Sequence, residues 1–225
     1  TSTHKGDANA IKVFIRPRPF ACAETASAWR VTPQRERADG AENPYDLIAE
    51  LDECRCSTQE ATEVAQFSFD RIFGQGAKNC DVFRELGEPV VDRCLEGFNT
   101  AVFAYGQTGS GKTHTMLGTE SDPGVLILAT RSILDKCAAD TERRYLLRME
   151  SMEIYNEEVR DLLSPDLHRL KVVDHAAKGV TCVSDQGRRQ HQTERFVCTL
   201  EEAHRLIDAA MSSRSTGKTS MNVTS

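Results

Sequence analysis

The feature that most restricts the fold is an eight-residue segment with the pattern G-x-x-x-x-G-K-[ST]. Glycines in such a segment let the backbone curl so that successive N–H groups face one anion. We expect the lysine to reach the outer phosphates of a nucleotide and the final hydroxyl to ligate Mg²⁺. The members of the segment are Gly106, Gln107, Thr108, Gly109, Ser110, Gly111, Lys112 and Thr113.

The residues on either side of this loop supply the context that the pattern requires. Residues 100–105 form an apolar run of strand length, and residues 113–117 can begin a helix. By composition alone, a chain of this length would contain the pattern by accident on the order of one time in a hundred. A strand, a glycine loop and a helix in that order favour a phosphate-binding loop over a plain glycine-rich turn.

Strand-like and helix-like segments alternate around the loop, which favours a three-layer α/β sandwich. Residues 145–155 have strand-like content, and residues 1–10 are polar and predicted to be a disordered tail. A helix predicted at 199–211 opens on a cap-like Thr-Leu-Glu-Glu. The other predictions are strands at 11–15, 66–69, 170–173 and 180–183, the last two as an exposed hairpin, and helices at 79–95 and 124–139.

Charge and hydropathy argue against two kinds of partner. The net charge of −6 argues against a dominant nucleic-acid-binding surface. The sequence contains no apolar run long enough to cross a bilayer, so we expect no membrane span. Cys54 and Cys56 are the only closely spaced cysteines, and a zinc site there is disfavoured because no second ligand pair is spaced to complete it.

Five motifs in order resemble the kinesin motor domain, and the resemblance covers residues 11–225. It implies the N-terminal portion of one motor domain, with a P-loop NTPase sandwich whose central sheet is mixed and mostly parallel, with helices on both faces. The motifs are Ile-Arg-Pro-Arg-Pro at 15–19, Phe-Ser-Phe-Asp-Arg-Ile-Phe at 67–73, the loop with its flanks at 103–116, Glu-Ile-Tyr-Asn-Glu with Asp-Leu-Leu at 153–163, and Thr-Ser-Met-Asn at 219–222.

The resemblance implies a microtubule-stimulated ATPase that uses ATP, ADP and Mg²⁺, works on microtubules, and dimerises through a coiled coil outside this chain. The scattered cysteines beside the nucleotide motif indicate reduced thiols and a cytoplasmic protein. The resemblance places the adenine against Arg16, Arg18, Pro19 and His114. Guanidinium and imidazole groups are planar and can stack on a base, which agrees with that role. Tyr155, Asn156 and Glu157 match a family motif, but we interpret them as structural.

Hydrolysis by this family needs two switch motifs, S-S-R-S-H and D-L-A-G-S-E. Residues 212–215 read Ser-Ser-Arg-Ser, but they precede the 219–222 motif and are followed by Thr216, so we reject them as the first switch. By register Ser225 lies just before the true first switch. We therefore expect a truncated motor domain that binds nucleotide at best, contains no catalytic residue, and leaves apolar sheet faces exposed.

A second tubulin contact is predicted on the hairpin that follows Asp-Leu-Leu. Lys171, His175 and Lys178 occupy it, with Arg188 and Arg189 in the next loop. The alternative is a solvated charged face that contacts no partner.

Some segments depart from the family pattern. Ile127 and Leu128 stand where Pro-Arg is usual, residues 144–149 resemble centromere-associated kinesins, and residues 193–198 resemble conventional transport kinesins. The subfamily stays open. The alternative functions are a non-motile kinesin-like protein that binds microtubules or a partner without turnover, and, much less favoured, a P-loop kinase of small metabolites.

Overall fold

A computed structural model describes residues 11–19, 29–32, 47–51, 66–74, 76–165, 169–175, 179–184 and 192–214. The chain divides into two compact units, Thr1–Lys78 and Asn79–Ser225. The prediction that residues 11–225 belong to one motor domain therefore stays a prediction. The expectations for residues 1–10, for the Cys54 and Cys56 pair, for Arg188 and Arg189, and for residues 215–225 lie outside the described residues.

The described residues of the first unit form five short strands. β1 and β5 pair in parallel, with Phe14 opposite Arg71, while β2, β3 and β4 form an antiparallel sheet in that order. Ile72 is buried and packs against Ile15 and Phe69. The strand predicted at 11–15 is thus reduced to its last two residues. The strands are β1 Phe14–Ile15, β2 Trp29–Thr32, β3 Leu47–Leu51, β4 Gln66–Phe69 and β5 Arg71–Ile72.

Every helix that the structure describes lies in the second unit. Helices occur at the three places where the sequence predicted them and directly after the glycine loop. The helix predicted at 79–95 is interrupted by a π-helical segment, Phe83–Gly87. Pro89 explains the interruption, because a proline has no N–H to donate and its ring would clash with the carbonyl four residues earlier. The helices are α1 Asn79–Val82, α2 Glu88–Leu95, α3 Lys112–Met116, α4 Val125–Ala139 and α5 Leu200–Ser212.

The strands of the second unit are all antiparallel where the structure describes them. Four of them form one sheet in the order β10-β9-β8-β7, and β11 pairs with β6. The predicted hairpin is confirmed as β9 and β10, with Val173 opposite Thr181. The strands are β6 Arg148–Met149, β7 Met152–Tyr155, β8 Glu158–Asp161, β9 Arg169–His175, β10 Gly179–Ser184 and β11 Arg195–Phe196.

A two-residue turn joins β7 to β8. Tyr155 pairs with Glu158, and the two residues between them have positive φ, 48° at Asn156 and 64° at Glu157. Positive φ at both central residues is the requirement of the type I′ turn, whose twist matches that of a hairpin. The Tyr-Asn-Glu part of the motif therefore has a structural explanation, as we predicted.

The Asp-Leu-Leu motif that follows is also structural. Leu162 and Leu163 are buried and pack with Ala210 and Leu206 of α5. The α5 helix opens with a capping box in which Thr199 Oγ1 accepts a hydrogen bond from the Glu202 N–H, as the sequence predicted. The carboxylate of Asp161, which is 2% exposed, accepts hydrogen bonds from the backbone N–H groups of Leu163 and Thr193.

One prediction about a strand needs correction. Residues 100–105 are not a strand: Phe103 is 88% exposed and Tyr105 fully exposed, and no described residue pairs with the segment. A strand forms only where a neighbour satisfies its N–H and C=O groups, so an apolar sequence alone does not suffice. The sheets among the described residues are mixed, since β1 and β5 pair in parallel and the other described strand pairs are antiparallel.

Candidate phosphate-binding site

Residues 106–111 form a tight loop that leads directly into α3. Gly109 and Gly111 have φ of 78° and 97°, which residues with a Cβ rarely adopt. The Ser110 N–H donates to the Gln107 carbonyl at 3.2 Å and closes a turn within the loop. Gly111 is the N-cap of α3, so the helix starts at Lys112, as the motif predicted.

The Lys112 side chain lies across this loop. Its ammonium donates to the carbonyl oxygens of Gly106 at 2.7 Å and of Gln107 at 2.8 Å. These carbonyls are neutral acceptors, and an anionic phosphate oxygen would make a stronger, charge-assisted bond with the same ammonium. The structure thus holds the predicted phosphate-binding cation over the loop that the motif encodes.

The next two residues of α3 differ in their surroundings. Thr113 is exposed at the surface of the unit. His114 is half-exposed, and its Nε2 lies 3.8 Å from Oδ2 of Asp122. Lys112, Thr113 and His114, which the sequence assigned to phosphate, Mg²⁺ and adenine, are consecutive residues of one short helix.

Asn79 and Asp122 lie beside α3, and the sequence did not single them out. The Asn79 side-chain amide donates to the carbonyls of His114 and Asp122, and the Asn79 N–H donates to the Asp122 carboxylate. An Asn at the start of a helix suggests an N-cap. Its actual partners are 35 and 43 residues away, a distance that no local pattern reveals.

Arg16, Arg18 and Pro19, the other predicted adenine contacts, belong to the first unit. The Arg16 guanidinium donates to the Ala77 carbonyl at 2.9 Å, and Arg18 and Pro19 are exposed. His114 belongs to the second unit. The adenine site formed by these four residues therefore stays a prediction.

The predicted tubulin contact is described only in part. Lys171 lies on β9 opposite Val183 and its side chain is exposed. The His175 side chain and Lys178 lie outside the described residues. This contact also stays a prediction.

The donor groups of the site suit a magnesium nucleotide. Mg²⁺ keeps most of its ligands as waters and phosphate oxygens and takes one or two from the protein, so a single hydroxyl such as that of Thr113 fits. In the part of the chain that the structure describes, no three His, Cys, Asp or Glu side chains are grouped as metal ligands. No described helix is long and apolar enough to span a membrane.

Comparison with known sequences decides the family. The sequence model of the kinesin motor domain matches residues 16–225. The chain belongs to the kinesin motor domain family. Its fold is accordingly that of a P-loop NTPase, and kinesin motor domains bind nucleotide. The predicted family and fold class are confirmed.

Curated relatives extend the match along nearly the whole chain. The chain is 34% identical over 213 residues to the kinesin-like protein KIN-7N of Arabidopsis thaliana, covering 95% of this chain and 23% of the relative. It is 38% identical over 158 residues to human centromere-associated protein E, covering 69% of this chain and 6% of the relative. The chain thus spans less than a quarter of the length of these two relatives.

Solved structures agree with the assignment. One solved structure is that of a fast kinesin, described for its implications for the ATPase mechanism and interactions with microtubules. It superposes with a TM-score of 0.73 at 32% identity, covering 96% of this chain and 56% of the kinesin chain. A KIF14 dimer, bound through two heads to a microtubule with AMP-PNP, gives a TM-score of 0.68 at 24% identity, covering 91% of this chain and 54% of its own. The second match supports the fold alone.

Proposed function

We propose that this chain is the nucleotide-binding part of a motor that couples ATP hydrolysis to movement along microtubules. The observation that carries the proposal is the glycine loop, folded under the Lys112 ammonium and continued by α3, in a chain of the kinesin family. The fast kinesin, at 32% identity, has a structure that bears on its ATPase mechanism and its interactions with microtubules, which supports ATP and tubulin as the ligands.

In this proposal, residues 106–113 bind the phosphates. Backbone N–H groups of the loop and the Lys112 ammonium neutralise the phosphates. The Thr113 hydroxyl supplies one oxygen to Mg²⁺, which when bound adds positive charge between the phosphates. Arg16, Arg18, Pro19 and His114 hold the base. We assign no catalytic residue within residues 1–225, because water positioning and hydrolysis belong to the switch motifs of this family.

The test compares Lys112→Ala with Lys136→Ala in the full-length protein. Lys136 is a matched control because its ammonium pairs with Asp92 on the surface, an interaction that contributes little. We expect Lys112→Ala to weaken binding of Mg²⁺ and ATP by about 100-fold and to abolish microtubule-stimulated phosphate release, with about 2-fold change or less for the control.

Each outcome of this test assigns a function. Normal turnover by Lys112→Ala would contradict the proposed role of the loop. ATP binding without turnover by the wild type would instead indicate the non-motile alternative, a kinesin-like protein that binds microtubules or a partner.

We further propose that Lys171, His175 and Lys178 contact tubulin, because a local positive field can attract an acidic surface although the chain is acidic overall. The double charge reversal Lys171→Glu with Lys178→Glu should weaken microtubule co-sedimentation about 10-fold. Arg131→Glu, at an exposed position of α4, is the control. Unchanged affinity of the double variant would indicate that the hairpin is a solvated charged face that contacts no partner.

We also propose that the protein acts on cytoplasmic microtubules, as a dimer joined by a coiled coil outside this chain.

A further inference from the structure

We propose that Asn79 is a positioning residue for nucleotide binding, which fixes α3 and through it the base-binding side of the site. The inference rests on the proposed function, since it assumes that α3 carries the nucleotide ligands. The side chain of Asn79 donates a hydrogen bond to the backbone carbonyl of His114 in α3. Asn79 therefore acts on the backbone of that helix.

Asn79 is buried and forms hydrogen bonds to two other segments of the chain, and we call this arrangement a clamp. The residue is 0% exposed, and its side-chain N–H₂ donates to the His114 carbonyl at 3.0 Å and to the Asp122 carbonyl at 2.9 Å. Its backbone N–H donates to Oδ1 of Asp122 at 3.1 Å. A single residue therefore joins the start of α1, the middle of α3 and the turn that follows α3. A buried amide with both hydrogens used holds its partners firmly, because leaving either carbonyl unpaired would cost free energy.

The α3 helix needs such external support. It has five residues, and so short a helix is not stable by itself in water. The carbonyls in its last turn have few partners inside the helix. The Thr113 carbonyl accepts from the Leu117 N–H at 2.8 Å, whereas the His114 carbonyl accepts from Asn79.

The turn after α3 gives the clamp a rigid anchor. The Gly124 N–H donates to the Leu117 carbonyl at 2.8 Å, and a Cβ built on Gly124 would lie 2.4 Å from the Met116 carbonyl oxygen. The backbone at the end of α3 therefore touches the backbone at the start of α4 directly. The Asp122 carbonyl, which Asn79 holds, also accepts from the Thr119 N–H at 3.0 Å.

The two ends of α3 are supported differently, and this difference makes the proposal testable. Lys112 is held at the loop end by the carbonyls of Gly106 and Gln107. His114 is held at its own carbonyl by Asn79. Loss of the clamp should therefore displace the base-binding residue more than the phosphate-binding one. In catalysis, a displacement of about 1 Å can cost about 100-fold in rate, so a small shift of α3 is enough to be measured.

The experiment measures the affinity of the full-length protein for ATP and for inorganic tripolyphosphate, both with Mg²⁺. Tripolyphosphate lacks the base and reports on the loop alone. The Asn79→Asp substitution keeps the size of the side chain but replaces its N–H₂ by an oxygen. The carbonyls of His114 and Asp122 then face an acceptor instead of a donor. We expect ATP to bind about 10-fold more weakly and tripolyphosphate less than about 3-fold more weakly. Asn99→Asp, at an exposed position, is the matched control and should change neither affinity.

A double-mutant cycle with His114 identifies the route of the effect. If Asn79 acts through His114, then adding Asn79→Asp to His114→Ala should leave the ratio of the two affinities unchanged. A residue that only stabilises the fold would lower both affinities in proportion to the folded fraction, so binding is normalised to that fraction. Asn79→Ala serves as a second variant, because it removes the amide without adding a charge.

The outcomes separate the inference from the proposed function. If the wild type binds neither ligand, the proposed function fails. If the wild type binds both ligands and the Asn79 variants show an unchanged affinity ratio, the function stands and the positioning role is overturned. Failure of both Asn79 variants to fold would assign the residue to stability alone and also overturn the proposal.

Discussion

Replacing Asp161 by asparagine tests whether the Asp-Leu-Leu motif is a structural clamp. Oδ1 accepts from the Leu163 N–H at 3.0 Å and Oδ2 from the Thr193 N–H at 2.7 Å, so the two oxygens tie the end of β8 to the segment before β11. Asparagine keeps the size of the side chain but offers only one oxygen. One of the two N–H groups must then face the amide N–H₂, donor against donor.

The magnitude follows from that lost bond. A hydrogen bond to a charged group contributes about 1.5 to 3 kcal/mol, and the buried N–H that loses its acceptor adds its own desolvation cost. Removing the charge also removes the cost of burying it, which offsets part of the loss. We therefore expect Asp161→Asn to lower the free energy of unfolding by about 2 kcal/mol. For a chain of this size the melting temperature should fall by roughly 4 to 8 °C.

Urea denaturation followed by circular dichroism measures this free energy, and amide hydrogen exchange at Leu163 and Thr193 locates the change. The control is Asp135→Asn, at an exposed position of α4, which should alter stability by less than about 0.5 kcal/mol. An Asp161→Asn protein as stable as the control, with unchanged exchange at both amides, would refute the reasoning. The motif would then need a functional explanation.

Three further substitutions test local features. Glu157→Gly should raise the free energy of unfolding by about 0.5 to 1 kcal/mol, because glycine adopts the positive φ of the turn without strain. Urea denaturation that shows no gain in stability would contradict the positive φ at Glu157. Thr199→Ala should lower the free energy of unfolding by about 1 kcal/mol, because α5 loses its N-cap. Urea denaturation measures this change. Hydrogen bonding from Arg160 lowers the pKa of Glu158 below its ordinary 4.5. The charge of Glu158 therefore stabilises the fold above that pH and ceases to do so as the pH falls through its folded pKa. Glu158→Gln should be less stable than wild type near pH 7 and converge with it in acid, as melting temperatures at about pH 7 and pH 3 would show.

The parts of the fold that the sequence predicted are those that neighbouring residues determine. The glycine loop and the start of α3 follow from eight consecutive residues, and the cap of α5 follows from four. The hairpin of β9 and β10 pairs strands only a few residues apart. In each case the interacting groups lie close in sequence, so composition and spacing were sufficient evidence.

The features that the sequence analysis missed depend mostly on groups that are distant in sequence. Residues 100–105 have strand propensity, but a strand also needs a neighbour, and the described residues do not provide one. The π-helical segment before Pro89 could have been predicted from that proline, because it lies within a strongly periodic helix. The role of Asn79 could not have been predicted, since its hydrogen-bond partners are 35 and 43 residues away in sequence.

The same division runs through the proposed nucleotide site. Its phosphate-binding side is encoded locally, because Lys112 is held by two carbonyls of its own loop. The orientation of His114 depends instead on a buried amide from another helix and on a turn whose backbone touches α3. A sequence motif can therefore identify a phosphate-binding chain without determining how well it holds the base. For this reason affinity for ATP relative to tripolyphosphate is more informative than ATP affinity alone, since only the ratio reports on the non-local part of the site.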